Sequence, residues 1–104
     1  IVIKNIVKND PNAIIIVQGD TGTLTGTDIS TTTMKDIYQS HSILYAVRIP
    51  DINNLESVIP VNTYRIIFNN YFNMNYEYLE QHIYTNQNDV WVEITEKLRE
   101  YRFD

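Results

Sequence analysis

The feature that most constrains the fold is a run of five apolar residues, Ala13-Ile14-Ile15-Ile16-Val17, followed at once by Gln18-Gly19-Asp20-Thr21-Gly22. Most of the run is β-branched, which favours a strand over a helix. The apolar character is continuous rather than alternating, a pattern typical of a parallel strand that helices cover on both faces. The run therefore predicts a buried strand of an α/β protein, with a polar loop after its carboxyl end.

Two helices and a second buried strand are predicted on either side of this motif. Residues 1–9 and 63–72 carry apolar side chains at helical spacing, and Asn62 or Thr63 is expected to cap the second of these helices. Residues 42–49 predict a strand that neighbours the first one and is closed by Pro50. Together these elements predict a layered arrangement with the 63–72 helix packed across one face of the sheet.

The rest of the chain predicts shorter elements. Residues 34–39 have the character of one or two helical turns, and Thr95 is expected to cap a final turn over 96–101. Residues 90–94 alternate with period two, which is typical of an edge strand. Residues 20–33, which are rich in threonine, and residues 73–89, which are polar, are expected to be loops.

Length and charge bound the class of protein. At 104 residues the chain has the size of one small domain, and no segment has the 20 or so consecutive apolar residues of a membrane helix. The net charge of −5 argues against nucleic-acid binding, since neutralising phosphates needs a basic face. Without cysteine there is neither thiol catalysis nor a disulfide framework. Because the chain begins with Ile1 rather than methionine, we expect it to be a piece of something longer.

Neither the two histidines nor the short sequence motifs indicate a catalytic site by themselves. His41 and His82 lie about forty residues apart without a metal-binding spacing, and we expect both to be ordinary surface histidines. The sequence has no GxSxG nucleophile elbow. Residues 20–22 read Asp-Thr-Gly, as in aspartic proteases, but that activity needs a second such loop or a dimer and an all-β setting. We therefore identify no catalytic residue.

Asp20 is the most promising functional residue. It comes directly after a buried strand and lies in a loop, which is where open α/β sheets place their ligands. A carboxylate at that position is well suited to hold a divalent cation. From position alone, an ordinary solvated loop aspartate is the favoured interpretation, by about two to one over a metal ligand.

Three blocks of sequence give the chain a family resemblance. The first, residues 14–22, resembles the strand and metal loop of the sulfatase-like branch of the alkaline phosphatase superfamily, which typically reads Gln-Gly-Asp-His-Gly after an apolar strand. The second, residues 42–50, resembles the next core strand of that family. The third, residues 59–72, resembles a segment of large membrane-anchored members, and Tyr84 extends the match.

The resemblance implies a fold and an activity class. It implies that residues 1–104 are one partial domain, the carboxyl-terminal portion of an α/β/α sandwich with a mostly parallel sheet. Members of this branch hydrolyse or transfer phosphate or sulfate esters with a Thr, Ser or modified Cys nucleophile and one or two divalent metals. In the intact protein the metal would be zinc, manganese or calcium. The nucleophile and the other ligands would lie on segments outside this chain, so that the chain alone is expected to be inactive.

The resemblance also assigns two metal-site residues, Asp20 and Thr21. The aspartate takes the place of a family ligand, whereas Thr21 stands where the family has a ligating histidine. A threonine hydroxyl is a much weaker donor to Zn²⁺ or Mn²⁺ than imidazole, so the intact protein could be a degenerate, non-catalytic member. No metal is expected to bind this chain tightly.

The implied partners follow from the same family. They are the remainder of the intact domain, a second copy of the chain through its uncovered sheet edge, and a membrane only through an anchor elsewhere in the protein. The implied location is the extracytoplasmic face of the cell membrane. The alternative is a self-contained, non-catalytic α/β module for binding or structure, with the threonine-rich loop and Tyr71, Tyr76, Tyr78 and Tyr84 as candidate contact surface; for Tyr71, helical spacing favours packing instead.

Overall fold

A computed structural model describes residues 1–23, 33–53, 55 and 58–101. The chain divides into two compact units: the first comprises Ile1–Gln18 and Tyr45–Leu79, and the second comprises Gly19–Leu44 and Glu80–Asp104. In chain order the elements are α1 (Val2–Asn9), β1 (Ile15–Gln18), α2 (Met34–His41), β2 (Tyr45–Arg48), α3 (Thr63–Tyr71), β3 (Tyr84–Gln87), β4 (Val90–Glu93) and α4 (Thr95–Glu100).

The first unit contains the two strands expected from the apolar runs. They are neighbours, as predicted, but they pair antiparallel, with Ile15 opposite Arg48 and Gln18 opposite Tyr45. Continuous apolarity shows that both faces of a strand are suited to burial, and it carries no information about strand direction. Among the described residues each strand has one neighbour, so the parallel, interior position expected for residues 13–18 is not what this sheet has. The sandwich that the resemblance implies remains a prediction.

Arg48 fixes the chain that leads into β1. Its guanidinium donates from Nη1 to the carbonyl of Ala13 at 2.6 Å and from Nη2 to the carbonyl of Pro11 at 2.7 Å. These charge-assisted bonds hold the turn after α1 beside the end of β2. The helix α1 forms as its spacing predicts, yet Ile3 and Ile6 on its apolar side are exposed.

The helix α3 confirms the predicted 63–72 helix but begins differently. A 3₁₀ helix over Pro60–Asn62 leads into it, and neither Asn62 nor Thr63 caps it through a side chain. The Thr63 hydroxyl instead bonds the phenol of Tyr45 on β2. The predicted cap is therefore wrong: the side chain of Asn62 is bound elsewhere. Ile49 and Ile67 are the buried apolar residues of this unit, next to the buried polar Asn62 and Thr63.

An extended segment, residues 74–79, runs along α3, and we call it the strap. Asn62 donates to the carbonyl of Leu79 at 2.8 Å and accepts from its N–H at 2.9 Å. Asn69 does the same with Tyr76, at 2.9 and 2.7 Å. Seven helical residues and three extended residues both span about 10 Å, so the two amides meet the strap in register.

In the second unit, α2 confirms and extends the helical turns expected at 34–39. Thr33 and Asp36 form a capping box: the Thr33 hydroxyl accepts from the Asp36 N–H, and the Asp36 carboxylate accepts from the Thr33 N–H at 2.9 Å. The pattern Thr-x-x-Asp before the helix is the sequence signal of this capping box. Ile37 is the buried apolar residue of the helix.

The second unit also contains a β-hairpin, of which the sequence pattern predicts only the second strand. β4 forms where residues 90–94 alternate, and it pairs antiparallel with β3, which lies within the polar residues 73–89 that were expected to be a loop. Asn88 and Asp89 have positive φ angles of 52° and 61°, which is the two-residue turn that matches strand twist. Asn-Asp before Val-Trp-Val is the signal that could have located β3.

The final helix, α4, forms close to the predicted 96–101 turn, but Thr95 is its first residue and does not cap it, so the predicted cap is wrong. Its buried hydroxyl accepts from the Ile83 N–H at 2.8 Å and donates to the Glu93 carboxylate at 3.1 Å. Ile94 beside it is the most buried apolar residue among those described. None of the described helices combines the length and apolar character that crossing a bilayer requires.

Candidate functional site

Asp20 and Thr21 lie in a short loop that directly follows β1. The loop starts with Gly19, whose N–H donates to the carbonyl of Leu44 at 2.8 Å. One carboxylate oxygen of Asp20, Oδ1, accepts from the N–H of Thr21 at 2.9 Å. Both side chains are exposed, and Asp20 Oδ2 has no partner among the residues that the structure describes. The aspartate is thus held locally and offers one oxygen to solvent.

The loop is anchored on the carboxyl end of α2. The last four carbonyls of a helix have no partner within it. In α2 those of Gln39 and Ser40 accept from the N–H groups of Thr23 and Gly22, at 3.0 and 2.9 Å. The flanking residues Ser42 and Ile43 satisfy the other two, the carbonyls of Tyr38 and His41. The loop therefore supplies half of the donors that close this helix.

Gly22 is required by that docking. A Cβ at this position would lie 2.7 Å from the Ser40 carbonyl oxygen and closer still to that of Gln39. Both obstacles are backbone atoms, which cannot move aside as a side-chain end can. At Gly19, by contrast, a Cβ would meet only ordinary contacts of 3.5–3.9 Å. Of these two glycines of the sequence motif, the second is the one that the structure cannot replace.

The donor set at the loop fits only part of a metal centre. Asp20 can supply one carboxylate oxygen, and Thr21 adds a weak hydroxyl donor, whereas zinc and manganese sites use several carboxylate or imidazole ligands. Across residues 1–23, 33–53, 55 and 58–101 no three His, Cys, Asp or Glu side chains come together in a group that could hold a metal ion. Further ligands for an ion at Asp20 would have to come from outside this described set.

A second polar cluster, in the hairpin unit, was not anticipated. His82 Nδ1 lies 2.7 Å from Glu93 Oε1 and its Nε2 lies 3.8 Å from Glu80 Oε2. Hydrogen bonds from His82, and secondarily from Thr95, lower the pKa of Glu93 from its ordinary value. Because Thr95 also binds the Ile83 N–H, the cluster ties the segment before β3 to the end of β4. Its geometry is that of a structural link between two strands.

His41 is not the surface residue that we expected. Its ring is half-buried at the end of α2, with Nδ1 2.9 Å from the carbonyl oxygen of Ile37 and Nε2 3.1 Å from that of Tyr84. Ser40 Oγ also lies 3.1 Å from Nδ1. The ring therefore connects α2 to β3. The expectation of an exposed histidine is confirmed for His82, whose side chain is about half exposed.

The proposed contact residues are described only in part. Residues 24–32 of the threonine-rich loop lie outside the described residues. All four candidate tyrosines are exposed, although the hydroxyl of Tyr71 donates to the carbonyl of Pro50. Along one side of α3 the exposed rings of Tyr64, Phe68 and Phe72 form a row, with centroids 6.4 and 5.7 Å apart, and Tyr76 of the strap joins it at 6.1 Å from Phe68.

Comparisons of the chain with known protein families, with curated proteins and with solved structures find no match. The functional assignment therefore depends on the chain's own residues and on the resemblance of its three sequence blocks.

Proposed function

We propose that this chain is the carboxyl-terminal part of a sulfatase-like domain, to which it contributes one metal ligand, Asp20, and that the chain is inactive alone. The observation that carries the proposal is the exposed Asp20 carboxylate on a loop whose backbone is fixed to the end of α2. A ligand needs such support, because a carboxylate on an unrestrained loop loses entropy when it binds.

The chemistry of the proposed site divides between this chain and the rest of the intact protein. Asp20 would hold the ion with its free oxygen, while Oδ1 stays on the Thr21 N–H. A divalent metal there would stabilise charge on a transferred phosphate or sulfate group. Thr21, in place of a histidine donor, makes the proposed site weaker than that of the family, so that loss of catalysis in the intact protein is part of the proposal.

The test is a calorimetric titration of the full-length protein with Zn²⁺ and with Mn²⁺. Asp20→Asn should lower the affinity for the metal at least tenfold, because a neutral amide oxygen replaces a carboxylate. Asp10→Asn is the matched control, since Asp10 is also exposed and accepts a local main-chain N–H at 2.9 Å. Thr21→His should raise the affinity. Equal affinities for the Asp20→Asn variant and the unmodified protein would contradict the proposal.

The isolated 104-residue chain gives a second, independent measurement. We expect no Zn²⁺ or Mn²⁺ binding at micromolar concentration and no hydrolysis of phosphate or sulfate esters, since two neighbouring donors cannot compete with water and chelating buffer. Thr21→His should change this little, because the other ligands remain absent. Micromolar binding by the chain alone, abolished by Asp20→Asn, would show a complete site of its own instead of one part of a site.

The second candidate function is a non-catalytic binding or structural module. The row of exposed aromatic rings on α3 favours it, together with a cavity of about 200 Å³ lined by Tyr64, Arg65, Phe68 and Tyr76. In the leading proposal the rest of the domain covers this surface; in the alternative it stays open for a partner or for a second copy.

Accessibility of the aromatic row in the full-length protein separates the two candidates. Covalent labelling of Tyr64 and Tyr76 should be fast in the isolated chain and strongly reduced in the full-length protein if the row is an internal interface. Equal labelling in both would favour the binding module. Sedimentation of the isolated chain should show self-association at high concentration, which Phe72→Ser should weaken.

A further inference from the structure

The Asp20 loop and helix α2 are joined by hydrogen bonds that each of them needs. The helix has eight residues, and isolated helices of that length are unstable in water. Both of its ends are closed by specific hydrogen bonds: a capping box at Thr33 and Asp36, and the loop amides of Gly22 and Thr23 at the other end. The loop and the helix therefore each lose hydrogen-bond partners when the other unfolds.

We propose that α2 and the Asp20 loop order as one cooperative unit, and that Thr33 and Gly22 are positioning residues for the Asp20 carboxylate. The inference rests on the proposed function for its consequence at a metal, but the coupling itself is a property of this chain. Thr33 acts at a distance in sequence: its described hydrogen bonds go to Asp36 and Ile37, and it works by stabilising the helix on which the loop is anchored.

The coupling between α2 and the loop depends on the hydrogen bonds that join them. The docked loop binds α2 through two backbone hydrogen bonds. At Gly22 the loop backbone lies so close to the end of α2 that there is no room for a Cβ. When α2 frays, the carbonyls of Gln39 and Ser40 leave their places, and the amides of Gly22 and Thr23 lose their acceptors. Asp20, two residues before Gly22, then loses the fixed backbone from which its carboxylate points.

Amide hydrogen exchange in the 104-residue chain tests the coupling without any metal. Thr33→Ala removes the helix cap and should accelerate exchange of the α2 amides about fivefold. We expect the amides of Gly22 and Thr23 to accelerate by the same factor, while those of β1 and β2, in the other unit, do not change. Thr33→Ser, which keeps the hydroxyl, should restore slow exchange.

Two controls make the result specific. Lys35→Ala changes an exposed α2 residue without removing a cap and should leave the loop amides within twofold of their original rates. Gly19→Ala should leave the exchange rates nearly unchanged. Gly22→Ala should accelerate amide exchange at Thr23 and at the end of α2 together. Faster exchange in α2 without any change at Gly22 and Thr23 would overturn the coupling. So would equal acceleration everywhere, including β1 and β2.

Metal titration of the full-length protein tests the consequence at the proposed site. Thr33→Ala should weaken Zn²⁺ or Mn²⁺ binding severalfold at a temperature where the protein stays folded, and Thr33→Ser should restore it. If Asp20→Asn leaves binding unchanged, the proposed function fails, whatever the exchange rates show. If Asp20→Asn weakens binding but Thr33→Ala does not, the positioning role of Thr33 is refuted and the proposed function survives.

Discussion

Two regions of this molecule solve the same problem, how to hold an irregular segment against a short helix, in opposite ways. The strap, residues 74–79, is held along the side of α3 by two asparagine side chains that pair with its backbone. The Asp20 loop is held at the end of α2 by backbone alone, through Gly22 and Thr23. The strap depends on side chains being present, whereas the loop depends on one being absent.

The difference follows from which helix surface each segment contacts. Along the side of a helix the backbone groups are already bonded within it, so only side chains can reach a passing chain. At the carboxyl end the carbonyls are unpaired and can accept backbone N–H groups directly. Direct backbone bonds require close approach, and close approach excludes a Cβ. The two regions should therefore respond to opposite kinds of substitution.

Gly22→Ala should have the largest effect. Because the new Cβ meets the backbone carbonyls of Gln39 and Ser40, the loop must leave the helix end, and the free energy of unfolding should fall by about 3 kcal/mol. Urea unfolding followed by circular dichroism measures this loss. Gly19→Ala is the matched control and should cost under about 1 kcal/mol. Similar losses of unfolding free energy for the two glycine variants would show that the loop is not held by a close approach that excludes a Cβ at Gly22.

Asn62→Ala should come next. It leaves the N–H and carbonyl of Leu79 without their partner beside a buried position, at a cost of about 2 kcal/mol. Asn69→Ala should cost less, since its bonds to Tyr76 are solvent-exposed and water can replace them. Denaturation of the two variants side by side checks the order. If Asn69→Ala proves the more harmful, the strap is not held mainly at Leu79, where it meets the buried Asn62.

Thr33→Ala should have a smaller effect, about 1 kcal/mol, as expected for a lost helix cap. It sharpens the comparison because it acts on the loop only through α2 and should not affect the strap. The double variant Thr33→Ala with Asn62→Ala should therefore show additive losses. A coupling well above about 0.5 kcal/mol between the two substitutions would show that the two regions are not independent.

The effect of pH on stability should be the smallest. It should arise from the charged His82–Glu93 contact and not from the hydrogen bonds of Asn62 and Asn69, which carry no charge. Hydrogen bonds from His82 and Thr95 lower the pKa of Glu93, so this group stabilises the fold above the carboxyl pKa of the unfolded chain. That stability is lost as the pH falls through the lower pKa of the folded state. Stability measured from pH 6 down to pH 3 should fall less steeply in Glu93→Gln than in the unmodified chain. Parallel curves for the two proteins would show that the cluster contributes no charge-dependent stability.

Sequence by itself determined the positions of most elements. Apolar residues at helical spacing located α1 and α3, and the continuous apolar run located β1. Both patterns are visible in the local sequence, because a helix buried on one side and a strand suited to burial on both sides each need apolar residues at fixed positions. The same reasoning selected the Gly19-to-Gly22 loop, since polar residues and glycine after a buried strand are a local signal as well. It missed β3 because Tyr84-Thr85-Asn86-Gln87 has no apolar alternation and is a strand only through its pairing with β4.

Tertiary structure decided the direction of strand pairing and the roles of individual polar side chains. Antiparallel pairing of β1 with β2 depends on the course of the connecting chain, which periodicity does not record. Asn62 and Thr95 were expected to cap helices because they stand at helix starts; instead they bind Leu79 and Ile83, residues distant in sequence. A hydrogen-bonding side chain takes whichever buried partner the fold brings near, and only the fold determines that partner.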